Sequence, residues 1–157
     1  MATRTSAGIL LYRQVDGALE VLLAHPGGPF FEKRDQDVWS IPKGEPDEGE
    51  PMIDVAQREF VEETGHPVPP GPRLELGSIV QKGGKIVHAW AVEGDLDPEA
   101  AVSNRFEMEW PPRSGQRREF AEIDRVAWFD PVEARRRIKA SQIPLLERLE
   151  TVLAKRG

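Results

Sequence analysis

The stretch GEPDEGEPMIDVAQREFVEETGH, residues 44–66, decides how the rest of this chain is interpreted. Glycines and charged residues recur in it at seven positions, which are Gly44, Glu50, Arg58, Glu59, Glu62, Glu63 and Gly65. Their spacing gathers four carboxylates around one loop and one helix. Because hard divalent cations prefer oxygen ligands of this kind, the stretch predicts a metal site.

A helix of roughly four turns is expected to follow the loop. Pro51 suits a first helical position, and Gly65 suits a left-handed cap at the end. At about 100° per residue, Met52, Val55 and Ala56 fall on one apolar stripe. This stripe should face the core.

The acids of the helix could simply belong to a solvated face, but their positions argue against that interpretation. Glu59 and Glu63 project along the apolar stripe and Glu62 lies at its edge, whereas the positions that point away are Asp54, Gln57 and Val61. The first two are also a like-charge i,i+4 pair in the C-terminal half, where the helix dipole favours cations. Arg58 offsets part of this charge as the i,i+4 partner of Glu62, and a bound cation would neutralise the rest.

The same stretch resembles the signature of the Nudix hydrolases. That signature reads Gly, five residues, Glu, seven residues, then Arg-Glu-apolar-any-Glu-Glu-any-Gly-apolar. All seven fixed positions match, and Phe60 fills the first apolar slot. His66 stands in the last slot, where an aliphatic residue is usual.

The resemblance implies a fold and a reaction. The fold would be an α/β/α sandwich with a mixed sheet, and the reaction would be attack of water on a phosphorus of a nucleoside diphosphate linked to a further group. Glu59, Glu62 and Glu63 would bind Mg²⁺ or Mn²⁺, the main-chain carbonyl of Lys43 would add an oxygen, and Arg58 would hold a carboxylate in place.

A general base need not lie within this stretch. By the same resemblance, an acidic residue several positions before a tryptophan strand near the end of the chain is the candidate. Glu122 precedes Trp128 by six residues and Glu119 precedes it by nine. We expect Glu122 to be the base, with the alternative that both are surface acids.

Residues before the metal stretch bear on the substrate. Trp39 and the run Pro42-Lys43-Gly44 resemble the W-x-x-P-K-G pattern of Nudix enzymes that hydrolyse dinucleoside polyphosphates. Lys43 would supply a compact positive charge to a phosphate. The alternative for Trp39 is a core aromatic residue.

A second basic cluster lies nearer the C-terminus, where Arg113, Arg117 and Arg118 stand beside Phe106 and Trp110. These arginines could bind phosphates while an aromatic ring stacks on a base. A solvated loop is the alternative.

The remaining segments predict strands and helices on both sides of the metal helix. Two hairpins are expected, residues 6–12 with 19–24 around Asp16-Gly17, and 74–80 with 86–92 around Gly83-Gly84. An extended segment over 38–41, irregular chain over 93–118 and a strand over 126–129 are also predicted. Asp130 should cap a helix that runs to about Lys139, and Ser141 should cap a last helix whose core stripe is Leu145, Leu146, Leu149 and Val152.

Length and composition limit the function classes. The chain has 157 residues with 39% hydrophobic content, which fits one domain over residues 1–157. No apolar run reaches membrane-span length and no signal peptide is recognisable, so a cytoplasmic protein is expected. There is no cysteine, which excludes disulfides and thiolate chemistry. A net charge of −6 argues against a broad nucleic-acid surface, and no pattern assigns an oligomeric state.

These observations favour a Mg²⁺-dependent pyrophosphohydrolase that acts on a small nucleotide substrate. Dinucleoside polyphosphates or similar nucleotides with a long phosphate chain are the expected substrates. One alternative is a house-cleaning nucleoside triphosphate pyrophosphatase. The other is a non-catalytic nucleotide sensor, although a sensor would be expected to lack some of the metal-binding glutamates.

Overall fold

A computed structural model describes residues 4–156 of the chain. Eight strands and three helices follow one another in it. They are β1 (Thr5–Val15), β2 (Ala18–Pro26), β3 (Lys43–Gly44), α1 (Met52–Thr64), β4 (Leu74–Val80), β5 (Ile86–Glu93), β6 (Arg105–Glu109), β7 (Arg117–Ala121), β8 (Ile123–Phe129), α2 (Pro131–Arg137) and α3 (Ile143–Arg156).

The main sheet has six strands and is mixed. Its order is β4-β5-β1-β2-β8, and the short β3 pairs with β1. Strands β1 and β5 run parallel, whereas the other pairs are antiparallel. The turn between β1 and β2 consists of Asp16 and Gly17, both with positive φ, as a two-residue hairpin loop requires. Both predicted hairpins are therefore confirmed.

Helices cover both faces of this sheet. Side chains alternate along β1, so Ile9 and Leu11 meet Phe60 of α1 on one face, while Leu10 meets Leu145 and other residues of α3 on the opposite face. The predicted α/β/α sandwich with a mixed sheet is confirmed. None of the helices within residues 4–156 combines the length and apolar character needed to cross a membrane.

Helix α1 follows its predicted course closely. It begins at Met52, one residue after Pro51, whose φ of −62° and ψ of 144° make it the extended residue before the helix. Gly65 has a φ of 75° and its N–H donates to the Val61 carbonyl, so the predicted left-handed cap is confirmed. Val55 and Ala56 are fully buried.

The segment predicted to be irregular contains a third hairpin, which forms a separate two-stranded sheet. Strands β6 and β7 pair only with one another, with Phe106 opposite Phe120 and Glu107 opposite Glu119. The prediction of irregular chain over 93–118 was wrong here: Phe106 and Met108 alternate with charged residues over 105–109, which is a strand pattern, although only five residues long. These strands lie outside the main sheet and form their main-chain hydrogen bonds with each other.

The predicted boundaries near the C-terminus also need correction. Helix α2 ends at Arg137, before Lys139, because Ile138 becomes extended and bridges Trp39. Ser141 does not cap the last helix, because it lies inside the 3₁₀ turn Ala140–Gln142, and α3 begins at Ile143. The predicted core stripe of α3 is confirmed for the fully or almost fully buried Leu145, Leu146 and Leu149.

Candidate functional site

Helix α1 presents its acids next to a cavity. The carboxylate side chain of Glu59 is 13% exposed and that of Glu62 is 39% exposed. Glu63 lines a cavity of about 150 Å³ together with Lys43, Glu122 and Lys139. Glu59 and Glu63 therefore lie along the apolar stripe and the more exposed Glu62 lies at its edge, as the helical spacing predicted.

Arg58 joins the loop to these acids. It donates two hydrogen bonds to the Glu50 carboxylate, both 2.9 Å, and a third of 3.0 Å to the Glu45 carbonyl. Its Nη1 donates to Glu59 Oε1 at 3.0 Å and to Glu62 Oε1 at 3.2 Å. Together with the Asp47 N–H, Arg58 lowers the pKa of Glu50 to about 2. One guanidinium thus fixes the loop and orients two acids of the helix.

The acids keep an excess of negative charge despite Arg58. Burial, followed by the neighbouring Glu59, raises the pKa of Glu63 to about 8. Burial and the charge of Glu62 also raise the pKa of Glu59, and Glu122 adds to both effects. Carboxylates that repel each other in a partly dry place are stabilised by a cation.

The α1 acids supply carboxylate oxygens, which are the ligands that a hard divalent cation prefers. Glu63 offers its carboxylate oxygens at the cavity, and Glu59 and Glu62, which share the Arg58 guanidinium, offer theirs from the same helix. Within residues 4–156, no three acidic or histidine side chains already converge on one metal position. Arg58 instead holds one oxygen each of Glu59 and Glu62, so cation binding would compete with this guanidinium.

Gly44 lies directly against the carboxyl group of Glu59. A Cβ atom added at this position would overlap the carboxyl group of Glu59. The glycine at the start of the metal stretch therefore leaves the space that the Glu59 carboxyl group occupies, and a larger residue would displace that group.

Lys43 occupies the opposite wall of the cavity. Its side chain is largely buried, and burial followed by the charges of Lys139 and Lys85 lowers its pKa to about 8. Its main-chain N–H donates to the Glu63 carboxylate. The residue thus brings one positive charge close to the carboxylates.

Main-chain hydrogen bonds bring Glu122 to the same cavity. The Asn104 N–H donates to the Glu62 carbonyl at 2.8 Å, the Glu122 N–H donates to the Asn104 carbonyl at 2.9 Å, and the Gly27 N–H donates to the Glu122 carbonyl at 2.9 Å. Glu119 lies instead on the exposed hairpin, opposite Glu107. Of the two candidate bases, the structure therefore places only Glu122 beside the α1 acids.

Two predicted substrate residues lie away from the cavity. Trp39 is 2% exposed, its Nε1 donates to Asp35, and its ring packs edge-on against His25 and Phe129. Its ring therefore contributes to the core. Arg113 lies in the exposed turn of the β6–β7 hairpin, where its N–H donates to Glu109.

Sequence reasoning missed several residues at the site. Lys139 and Lys85 come from distant segments and surround Lys43 electrostatically. Gln142 is fully buried and its Oε1 accepts from the Ile41 N–H at 3.1 Å, just before Pro42 and Lys43. No local pattern marks these residues, because their partners are brought near only by the fold.

His25, left unassigned by the sequence, is also fully buried. Its Nδ1 lies 2.8 Å from Asp124 Oδ1 and its Nε2 faces the Arg34 carbonyl oxygen. His25 therefore fastens the long loop between β2 and β3 to the neighbouring strand β8.

A family model described as the NUDIX domain matches residues 2–149. An 8-oxo-(d)GTP phosphatase of Mycolicibacterium smegmatis is 39% identical over 80 residues. That alignment covers 48% of this chain and only 24% of the relative, so the chain spans about a quarter of the relative's length.

Solved structures share the fold over nearly the whole chain. The NUDIX domain of Shewanella oneidensis NrtR, solved with ADP ribose, has a TM-score of 0.69 at 17% identity and covers 98% of this chain and 90% of that chain. An Ap4A hydrolase of C. elegans has a TM-score of 0.63 at 23% identity, with 98% and 99% covered. At these identities, the likeness is one of fold.

Proposed function

Because the chain belongs to the Nudix hydrolases, we propose that it is a Mg²⁺-dependent pyrophosphohydrolase of nucleotides with an extended phosphate chain, such as dinucleoside polyphosphates. The observation that carries this proposal is the cavity that Glu63 of α1 shares with Lys43 and Lys139. Arg58 holds Glu59 and Glu62 on the same helix, and the charge of Lys85 also acts on Lys43. Acids that hold a cation and lysines that meet phosphates suit a substrate with several consecutive negative charges.

Each residue of the cavity has a role in this proposal. Glu59, Glu62 and Glu63 would hold Mg²⁺ or Mn²⁺, with the carbonyl of Lys43 as a further oxygen. The bound cation would stabilise the charge that spreads over the phosphoryl oxygens during water attack. Arg58 orients two of the carboxylates, and Glu122 takes a proton from the attacking water.

Two of the similar proteins support different substrates. The likeness to an Ap4A hydrolase agrees with a dinucleoside polyphosphate. The partial match to an 8-oxo-(d)GTP phosphatase favours a second candidate, which is hydrolysis of nucleoside triphosphates as a house-cleaning activity.

A hydrolysis panel tests the proposal. Purified protein is assayed with Mg²⁺ against nucleoside triphosphates, dinucleoside polyphosphates, nucleotide sugars and dinucleotide cofactors, and the products are identified. We expect the highest kcat/KM for a dinucleoside polyphosphate and no turnover in excess chelator. A nucleoside triphosphate as the best substrate would establish the second candidate instead. Tight nucleotide binding without any turnover would indicate a sensor.

Glu62→Gln and Glu63→Gln test the cation site directly. Removal of a residue that only hydrogen-bonds a metal ligand lowers activity roughly 10- to 100-fold. Because Glu62 and Glu63 would bind the metal directly, each variant should lower kcat by more than this. Asp54→Asn is the matched control, because Asp54 is an exposed acid on the same helix. Wild-type kcat in both glutamine variants at saturating Mg²⁺ would contradict the assignment.

A further inference from the structure

A second cavity adjoins the one beside the α1 acids. It measures about 340 Å³, and we call it the lysine groove; its walls include Phe31, Arg34, Asp37, Lys82, Lys139 and Ser141. Val38 and Lys139 line both cavities. The two cavities therefore adjoin at these two residues.

We propose that Lys139 and Lys85 extend the positive charge of Lys43 into a track for consecutive phosphates, and that the lysine groove takes the part of the substrate farthest from the bond that is cut. This inference rests on the proposed function, because it names the site that receives the long phosphate chain. It assigns Lys139 and Lys85 as residues that determine substrate length.

The protein balances the charges along the track only in part, through Glu63 and Glu59 at the Lys43 end. None of Lys43, Lys85 and Lys139 forms an ion pair with any carboxylate of residues 4–156.

Lys85 lies next to the groove, because its carbonyl accepts at 2.7 Å from the N–H of Gln81, which lines the groove. The positive charges of Lys139 and Lys85 both act on Lys43, and Lys85 acts on Lys139 in turn. Asp37 alone partly balances Lys139. Three ammonium groups that repel each other in a partly buried place are stabilised by a polyanion.

The main chain holds Lys139 in this position. Its N–H donates to the Trp39 carbonyl at 2.8 Å, and its carbonyl accepts from Gln142 at 2.9 Å. The next N–H, of Ala140, donates to Asp37 Oδ1 at 2.8 Å. Because this segment is fixed before any ligand arrives, little ordering is required when a phosphate binds.

The size and lining of the groove suit the end of a nucleotide. A volume of about 340 Å³ falls within the usual range of small-molecule sites, roughly 300–1,000 Å³. Phe31 is half-buried and gives one aromatic wall, while Arg34, Lys82 and Lys139 outnumber the single acid Asp37. The groove therefore favours an anionic group that carries a flat ring.

Binding of inorganic tripolyphosphate to metal-free protein tests the track without any chemistry. Calorimetry at low ionic strength is carried out on wild type, Lys139→Ala, Lys85→Ala, Lys139→Arg and the control Lys155→Ala. Lys155 lies near the far end of α3, about 18 Å along the helix from Ile143. We expect about tenfold weaker binding or more for both track variants to alanine, partial recovery with arginine, and no change in the control.

Kinetics then link the track to substrate length. Lys139→Ala should lower kcat/KM for a tetraphosphate-bridged dinucleotide at least about tenfold more than for a sugar-linked nucleoside diphosphate. Thermal unfolding checks the fold, and the midpoint should be no lower than that of wild type because a repulsion is removed.

Two results would overturn the inference, and the first does not depend on the proposed function. Tripolyphosphate binding that is absent in wild type or equal in Lys139→Ala would exclude the track. Equal kinetic losses on the long and short substrates would exclude the assignment to substrate length while leaving hydrolysis intact. If wild type hydrolysed no phosphoanhydride, the proposed function would fail and the binding comparison would still decide whether the track exists.

Discussion

Glu122 and Glu119 are only three positions apart in the sequence, but they have different surroundings in the structure. Glu122 lines the cavity and raises the pKa of both Glu59 and Glu63. We predict that Glu122→Gln lowers kcat by roughly 10² to 10⁴, because a positioned general base contributes about that much. Glu119→Gln, on the exposed hairpin, should have a much smaller effect.

The measurement is kcat at saturating Mg²⁺, together with the Mg²⁺ concentration that gives half-maximal activity. That concentration should change little in Glu122→Gln, which distinguishes a base from a metal ligand. A larger loss in Glu119→Gln than in Glu122→Gln would move the assignment to the hairpin.

Glu63 also makes stability depend on pH in the absence of metal. Burial and Glu59 raise its pKa from 4.5 to about 8, so the folded protein binds a proton that the unfolded chain releases. Stability from this proton is fully present below about pH 4.5 and is lost as the pH rises through about 8. We predict that the midpoint of Glu63→Gln rises relative to wild type across this range.

Thermal unfolding in excess chelator between pH 4.5 and pH 9 measures this difference, with Asp54→Asn as the control. Saturating Mg²⁺ should diminish the advantage of Glu63→Gln, because a cation favours the ionised carboxylate. A difference between the two proteins that stays constant with pH would show that Glu63 does not carry the raised pKa.

At the scale of single residues, helical periodicity was enough to place Glu59 and Glu63 on the core-facing stripe. It was not enough to place Trp39, because a strand pattern does not say whether an aromatic ring faces the core or a ligand. Lys139 and Gln142 had no detectable signal, since Gln142 meets Ile41 across 101 residues. Such contacts exist only after the chain has folded.

Among the elements, the segment before Lys43 depends on one buried amide. Gln142 accepts from Ile41, and its Nε2 donates to Ser40 at 3.0 Å and to Gln81 at 2.8 Å. Gln142→Leu would leave the Ile41 N–H without an acceptor inside the protein. We predict a loss of about 1–3 kcal/mol in the free energy of unfolding.

The same change should lower kcat/KM, because the segment that carries Lys43 loses a fixed point next to the cavity. Denaturant unfolding and steady-state kinetics measure the two effects, and Gln36→Leu in the exposed loop is the control. Unchanged stability in Gln142→Leu would mean that Ile41 finds another acceptor.

Helix α1 and the β6–β7 hairpin show why elements differ in how well they can be predicted. The helix has an apolar stripe, a proline before its start and a glycine after its end, so three independent signals agree. The hairpin has only two apolar residues in β6, separated by charges, and packs against no helix. The alternation in β6 is one short signal, and the pairing of the strands and the contact between the Phe106 and Phe120 rings form only once the chain has folded.

At the scale of the whole molecule, cation binding should be visible in global unfolding. A ligand that binds only the folded state at about 100 times its Kd adds about 2.7 kcal/mol. For a chain of this size that corresponds to about 5–10 °C in the midpoint. We predict such a rise with Mg²⁺, its reversal by chelator and its loss in Glu59→Gln, as measured by scanning calorimetry.

Asp54→Asn should retain the full rise, because its side chain is exposed and turned away from the acids. An equal rise in Glu59→Gln and in Asp54→Asn would show that Mg²⁺ stabilises the protein at some place other than α1.

The main-chain hydrogen bonds at the base of the β6–β7 hairpin separate the position of the site acids from the amino-acid sequence of the hairpin. In many proteins these two properties must change together. The main chain of Glu62 and of Glu122 is held by hydrogen bonds through the main chain of Asn104, which every residue type except proline can make. The side chains between residues 105 and 121, and the exposed tip at Ser114 and Gly115, can therefore be exchanged or lengthened without displacing either acid. Descendants of such a chain can diversify what they recognise at this edge while inheriting the same chemistry.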